Sequence, residues 1–365
     1  MPSVPQIVWS GGPVMASVRV VPVFFPNDPQ QPMLLDYLAK LAASPTWAQQ
    51  VSEYGVGPIS VAAPVTIPTA PNADVTDADV QAFLTSSLDG SHAEWGPTDS
   101  ATLATSVYLL FYPSTTTITM GSDTSCNAFV GYHNRTAGGA IYAPVVECAV
   151  PQVPNEPLVV AHHELLEAAT DPQVDSARAY HDIDVAHIFW SLPAQGAEVG
   201  DLCQAVRAGR VLDPSLGYSI PRGWSNASMK GFHDPCLPVV PNTPYFAAIP
   251  RFDEDVPFND SGMQVTTKGL SLHVGQAVTV DVDFLSDGPT GGPWTIIADD
   301  ALHARLGFPQ AVSLSLDKAS GENGTKVHLT VTAIATNPFD ATVVEITSSL
   351  GQTTHTWLGG VLVLP

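Results

Sequence analysis

The stretch "AHHELLEAATDP" at 161–172 decides how the first part of this chain is read. It holds His-Glu-x-x-Glu at 163–167, preceded by a second histidine and followed by Pro172. Asn155 can cap a helix, Pro157 suits a first turn, and Pro172 disfavours helical geometry at Asp171. A helix over about 156–170 is therefore expected. At about 100° per residue, Leu158, Val159, Ala161, Leu165, Leu166 and Ala169 gather on one face. His162 falls among them and is expected to be a hydrogen-bonded core residue. His163, Glu164 and Glu167 share the opposite stripe. That stripe is either the working face of a metal-binding helix or the solvated side of an ordinary amphipathic one.

The metal reading makes specific demands. His163 and Glu167 are four residues apart, so both side chains can reach one ion. In helices carrying His-Glu-x-x-His, the Glu beside the first ligand activates the metal-bound water. Glu164 holds that place. A carboxylate as second ligand is acceptable to zinc, at ~2.0–2.2 Å, and shifts preference towards harder ions. A third ligand is needed, and "GAEVGDLCQ" (196–204) offers Glu198 and Asp201. Cys203 qualifies only outside a disulfide. His133, in the Gly-bounded "GYHN" (131–134), is placed to be a ligand or to stabilise an oxyanion. The polar cluster of "YHDIDVAHIFW" (180–190) lacks metal spacing. The expectation is Zn2+, or another divalent ion, on His163, Glu167 and Asp201 or Glu198, with Glu164 as general base.

Composition limits the alternatives. The chain has 365 residues, enough for two domains, with 35 acidic against 13 basic side chains and a net charge of -22. Such a charge, with no basic cluster, excludes nucleic acid and anionic membrane surfaces as partners. No apolar run approaches the ~20 residues of a membrane span, and no Walker, G-x-G-x-x-G or G-x-S-x-G pattern occurs. The four cysteines, Cys126, Cys148, Cys203 and Cys236, suggest two disulfides. The simplest pairing is Cys126–Cys148 and Cys203–Cys236, one of three arrangements. The N-terminus shows no signal-peptide pattern, which leaves a start Met in its place, non-standard export or a cytosolic protein. Disulfides and scarce lysine favour the first, so a secreted protein is expected.

Upstream of the helix, "SVRVVPVFF" (17–25) and "TSVYLLFYP" (105–113) read as buried strands, and 32–55 and 73–90 as helices. A first domain over 1–240, of α/β or α+β class, is expected to carry the chemistry. The proline-rich 241–256 reads as a linker. Beyond it, 257–365 shows short alternating strands and no helix signal: an all-β immunoglobulin-like sandwich without the Cys-Trp-Cys core.

Several motifs of the first domain occur together and in order. They are "GGPVMASVRVVPVFFP", "LAASPTWAQQVSEYGVG", Cys126 six residues before Tyr132-His133, "HELLEAATDP", "EVGDLC" and "WSNASMKGFHDPC". In these the chain resembles the EXORDIUM-like, phosphate-induced family and its bacterial relatives. The resemblance covers about residues 8–236 and implies export, a zincin-like helix, and roles for His133, His163, Glu164, Glu167, Asp171, Asp201 and Cys203. The expected function is a secreted zinc metallopeptidase acting on a peptide or protein substrate. The alternative is a non-catalytic protein that binds cell-wall or surface glycan, with a structural metal or none. In either case the sandwich would serve attachment or stability.

Overall fold

The computed structural model describes residues 3–148, 155–204, 209–241, 243–260 and 262–365. It forms two compact units. One comprises Trp9–His181 with Arg210–Gly223, and the other Met1–Val8, Asp182–Gly209 and Trp224–Pro365. The division does not follow the expected cut at 240, because 182–209 and 224–240 belong with the sandwich.

The first unit is built on a mostly parallel sheet. Its elements are β1 (Val18–Phe24), α1 (Gln31–Ala43), α2 (Thr46–Val51), β2 (Ile59–Val61), β3 (Val65–Thr66), α3 (Asp77–Ser87), β4 (Ser106–Tyr112), β5 (Asn134–Arg135), β6 (Ile141–Val146), α4 (Glu156–Thr170), β7 (Arg210–Asp213) and β8 (Tyr218–Pro221). The strand order is β2-β1-β4-β6-β5, with β3 also on β1. β1, β4 and β6 run parallel, pairing Val21 with Tyr108 and Leu109 with Ala143. Parallel strands covered on both faces need continuous apolar sequence, and every residue of β4 and β6 is buried. The disulfide Cys126–Cys148 forms in this unit.

α3 starts on a capping box, Thr76 with Asp79. α4 has the expected extent but not the expected cap. Asn155 has φ of 54° and its side chain caps nothing, because a capping side chain needs an extended backbone at that position. α4 packs on β6, β8, α1 and α2.

The second unit holds the sandwich: β9 (Phe246–Pro250), β10 (Glu254–Asp260), β11 (Met263–His273), β12 (Ala277–Ser286), β13 (Trp294–Asp300), α5 (Ala301–Leu306), β14 (Val312–Leu316), β15 (Ser320–Gly321), β16 (Lys326–Ala333), β17 (Ala341–Leu350) and β18 (Thr353–Leu364). One sheet has the order β9-β12-β16-β14, the other β10-β11-β18-β17-β13-β15. Between them lies an apolar core centred on Trp294, whose ring packs on Phe284 and Phe246 at 5.1 and 5.3 Å. These tilted aromatic contacts stand where antibody domains have their disulfide-and-tryptophan core.

The span 241–256 is not a free linker: "FAAIP" within it is β9, wholly buried, since its apolar residues fill the sandwich core. A helix also interrupts the strands, α5, whose N-cap Asp300 accepts from His303 N–H. The second disulfide, Cys203–Cys236, belongs to this unit. No helix among the described residues is long and apolar enough to cross a membrane.

Candidate functional site

α4 is buried almost all round. His162 is fully buried, and both its ring nitrogens are partnered: Tyr37 Oη lies 2.5 Å from Nδ1 and Gln50 Oε1 lies 2.8 Å from Nε2. Gln50 Nε2 donates onward to Pro221 O at 3.2 Å. Burial, helped by His163 beside it and opposed by Asp213, holds the His162 imidazole down at about 3. The ring is therefore neutral. It is the core histidine the sequence predicted.

The opposite stripe is not a solvated face. Glu164 and Glu167 are each only 4% exposed, so this side of the helix is not the solvated side of an ordinary amphipathic one. Carboxylates are almost never fully buried unless paired. The partner comes from the loop before β5. Val130 O accepts from Val146 N–H at 2.9 Å and Pro144 O accepts from Tyr132 N–H at 3.4 Å, so this loop runs along β6. At Gly131 a Cβ would meet Val160 Cγ1 at 2.4 Å and Glu164 Oε1 at 3.1 Å. The missing side chain lets the loop lie against α4 and delivers His133 to the carboxylates.

His133 Nδ1 lies 3.6 Å from Glu164 Oε2 and 3.8 Å from Glu167 Oε2. Its Nε2 is 3.2 Å from Asp171 O. A carbonyl only accepts, so Nε2 carries a proton, and Nδ1 is the ring atom that faces the two carboxylates. Ligand atoms of His133, Glu164 and Glu167 all fall within 4.8 Å of one another. Glu164 Oε2 has no hydrogen-bond donor among the described residues. Donor atoms ~2.1 Å from one ion at tetrahedral angles stand ~3.4 Å apart, close to the observed 3.6 and 3.8 Å. The residues present fit a divalent cation.

Around this cluster, Glu167 reaches both ways. His163 Nε2 sits 3.0 Å from Glu167 Oε1, and the His163 side chain is 13% exposed against 5% for Glu167. His163 is thus the most accessible member. Asp171, which ends α4, accepts Ala179 N–H on Oδ1 at 2.7 Å and lies 3.1 Å from His181 Nδ1 through Oδ2. Sequence reading did not single out Gly131, and it picked out Asp171 only through the family resemblance, without saying what Asp171 does. The Gly before Tyr-His and the Pro after Asp were the available signals.

The remaining candidates lie in the second unit. Glu198 and Asp201 form a local turn: Glu198 N–H donates to Asp201 Oδ2 and Asp201 N–H to Glu198 O, each at 3.2 Å. Cys203 is bonded to Cys236 and is no ligand. Within "YHDIDVAHIFW", His187 Nδ1 pairs with Asp184 Oδ1 at 2.7 Å. His133, expected as a ligand or an oxyanion donor, faces the two helix carboxylates.

No family model matches the chain, and no curated protein matches it. Among solved structures, it is similar to S-layer protein SbsC domains 4 and 5, with 17% identity over 28% of this chain and a TM-score of 0.20. The match spans 58% of that structure. The titin M3 domain is similar at 12% identity over 27% of this chain and 88% of its own, with a TM-score of 0.19. A Bacteroides ovatus GH5 xyloglucanase in complex with a XXXG heptasaccharide is similar at 15% identity, covering 33% of this chain and 19% of that one, with a TM-score of 0.18. Likenesses at that level leave the architecture to be read from the strand pairing itself.

Proposed function

We propose that the chain is an exported, metal-dependent hydrolase acting on peptide bonds, with its ion held by His133, Glu164 and Glu167. The observation that carries this is the convergence of three buried lone-pair-bearing atoms, His133 Nδ1 and one oxygen from each glutamate, within 4.8 Å. Two carboxylates buried side by side, without a cation, cost several kcal/mol in desolvation and repulsion. One nitrogen and two oxygens form a moderately hard set, suited to zinc or manganese. A divalent ion bound there supplies Lewis acidity towards a carbonyl oxygen and lowers the pKa of water.

The chain's own residues divide the rest of the work. Glu164, the general base in the sequence reading, becomes a ligand in this assignment because its Oε2 faces His133 Nδ1. The proton-carrying role passes to His163, half-buried and paired with Glu167 Oε1 at 3.0 Å. Glu167 couples the two, one oxygen towards each histidine. Two disulfides suit an oxidising compartment. The EXORDIUM-like resemblance remains part of the proposal, supported by the meeting of His133, Glu164 and Glu167 from separate motifs.

The test is turnover of a peptide library by untagged protein, chelated and then resupplied with Zn2+ or Mn2+. Glu164→Gln and Glu167→Gln should lose both metal and turnover. His163→Ala should keep the metal and lose about 10²–10⁴-fold in turnover. Metal-independent hydrolysis, or full turnover in Glu164→Gln, contradicts the proposal. Metal retention with no hydrolysis of any peptide would instead favour the structural-metal reading.

A further inference from the structure

We infer that Asp171 is a positioning residue, which fixes the His133 ring so that Nδ1 faces Glu164 and Glu167; this rests on reading that cluster as a cation site. α4 ends at Asp171, whose φ of -143° and ψ of 68° take it out of the helix. Pro172 follows, with no N–H and a ring that disfavours helix before it. The Asp171 carbonyl therefore leaves the direction of the helix carbonyls and meets His133 Nε2 at 3.2 Å. That contact selects among the neutral tautomers: with the proton on Nε2, the neutral ring carries on Nδ1 the lone pair a metal needs.

A carbonyl can direct a ring only if its own peptide is held. The Asp171 side chain is fully buried and is held by Ala179 N–H, which donates to Oδ1 at 2.7 Å, while Oδ2 lies 3.1 Å from His181 Nδ1. The loop it closes is braced again from outside. Ser10 N–H donates to Ala179 O and Gly12 N–H to Arg178 O, both at 2.8 Å. Gly12 is required there, since a Cβ would come within 2.0 Å of Ala177 O. Asp171 is thus the joint between the helix end, the loop and the histidine. Outer partners of this kind are worth about 10–100-fold in metal affinity.

Two readouts separate this role from general stabilisation. Zn2+ affinity is measured by chelator competition for the full chain, Asp171→Ala and Asp171→Asn. The His133 ring tautomer is read by 15N NMR without metal at pH about 8, above the ordinary imidazole range. The wild type should show the Nε2–H form. Asp171→Ala should mix tautomers and bind Zn2+ about 10–100-fold more weakly, while Asp171→Asn, which keeps the acceptor for Ala179 N–H, recovers most of the loss. An Nδ1–H ring in the wild type, or wild-type affinity and tautomer in Asp171→Ala, overturns the inference. Should the wild type bind no Zn2+, the cation reading falls, and the tautomers still decide whether Asp171 orients the ring. If Asp171→Ala does not fold, the wild-type tautomer and Asp171→Asn carry the test.

Discussion

A Cβ on Gly131 would press on Val160 Cγ1 at 2.4 Å, so the loop bearing His133 can touch α4 only where no side chain intervenes. Relief of that clash has to come from the loop, because Val160 is part of a packed helix. Gly131→Ala should therefore displace His133 from Glu164 and Glu167. Overpacking of this size costs about 1–3 kcal/mol, which lowers the melting temperature by several degrees, about 2–4 °C per kcal/mol for a unit this large. Calorimetry on Gly131→Ala checks it, with metal affinity falling in parallel. An unchanged melting temperature would mean that the loop relaxes freely. His162 shows the opposite case: a histidine between leucines and alanines was legible as a core residue from spacing alone, and Tyr37 and Gln50 complete its hydrogen bonds.

At the scale of elements, the extent of α4 was legible from Pro157, the apolar periodicity and Pro172. The fate of its polar stripe was not. A helical wheel places Glu164 and Glu167 on one face but does not say that a loop from residues 130–135 covers them. That cover depends on strand pairing distant in sequence, which local patterns do not encode. Carboxylates elsewhere near the α4 start behave similarly. Burial pushes Glu147 up to about 8, with Asp28 and then Glu156 adding to it. Glu156, at the first turn of α4, is pushed up to about 7 by burial, opposed by Arg210. Both acids hold protons in the native chain that the unfolded chain has already released near its ordinary value of 4.5. Their contribution to stability is fully present below that value and is lost as pH rises through about 7 and 8. The melting temperature should fall between pH 5 and 9, and Glu147→Gln with Glu156→Gln should flatten that decline. A wild-type profile as flat as the double variant's would refute the assignment.

For the whole molecule, the two-part organisation and the sandwich were readable from composition and strand spacing, but the boundary was not. The segment from 182 reads in sequence as part of the first domain yet groups with the sandwich. Phe189 fills the space above Gly360, where a Cβ would come within 1.7 Å of its ring, and its ring lies 4.9 Å from that of Phe258. Trp190 packs edge-on to Trp357 and Trp224 at 5.3 and 5.8 Å. A fragment of 243–365 should therefore expose apolar surface, bind a hydrophobic dye and melt lower than the full chain. Equal melting of fragment and full chain would show that 182–209 adds nothing to the sandwich. Nothing in a linear pattern marks which domain a Phe-Trp pair will cover, since either core could bury it. Whether His133, Glu164 and Glu167 hold an ion is tested most directly by the metal content of untagged protein. After exposure to Zn2+ and exhaustive dialysis, mass spectrometry should find about one equivalent in the wild type and almost none in Glu164→Gln/Glu167→Gln. No bound metal in the wild type, or equal metal in both, would contradict the account.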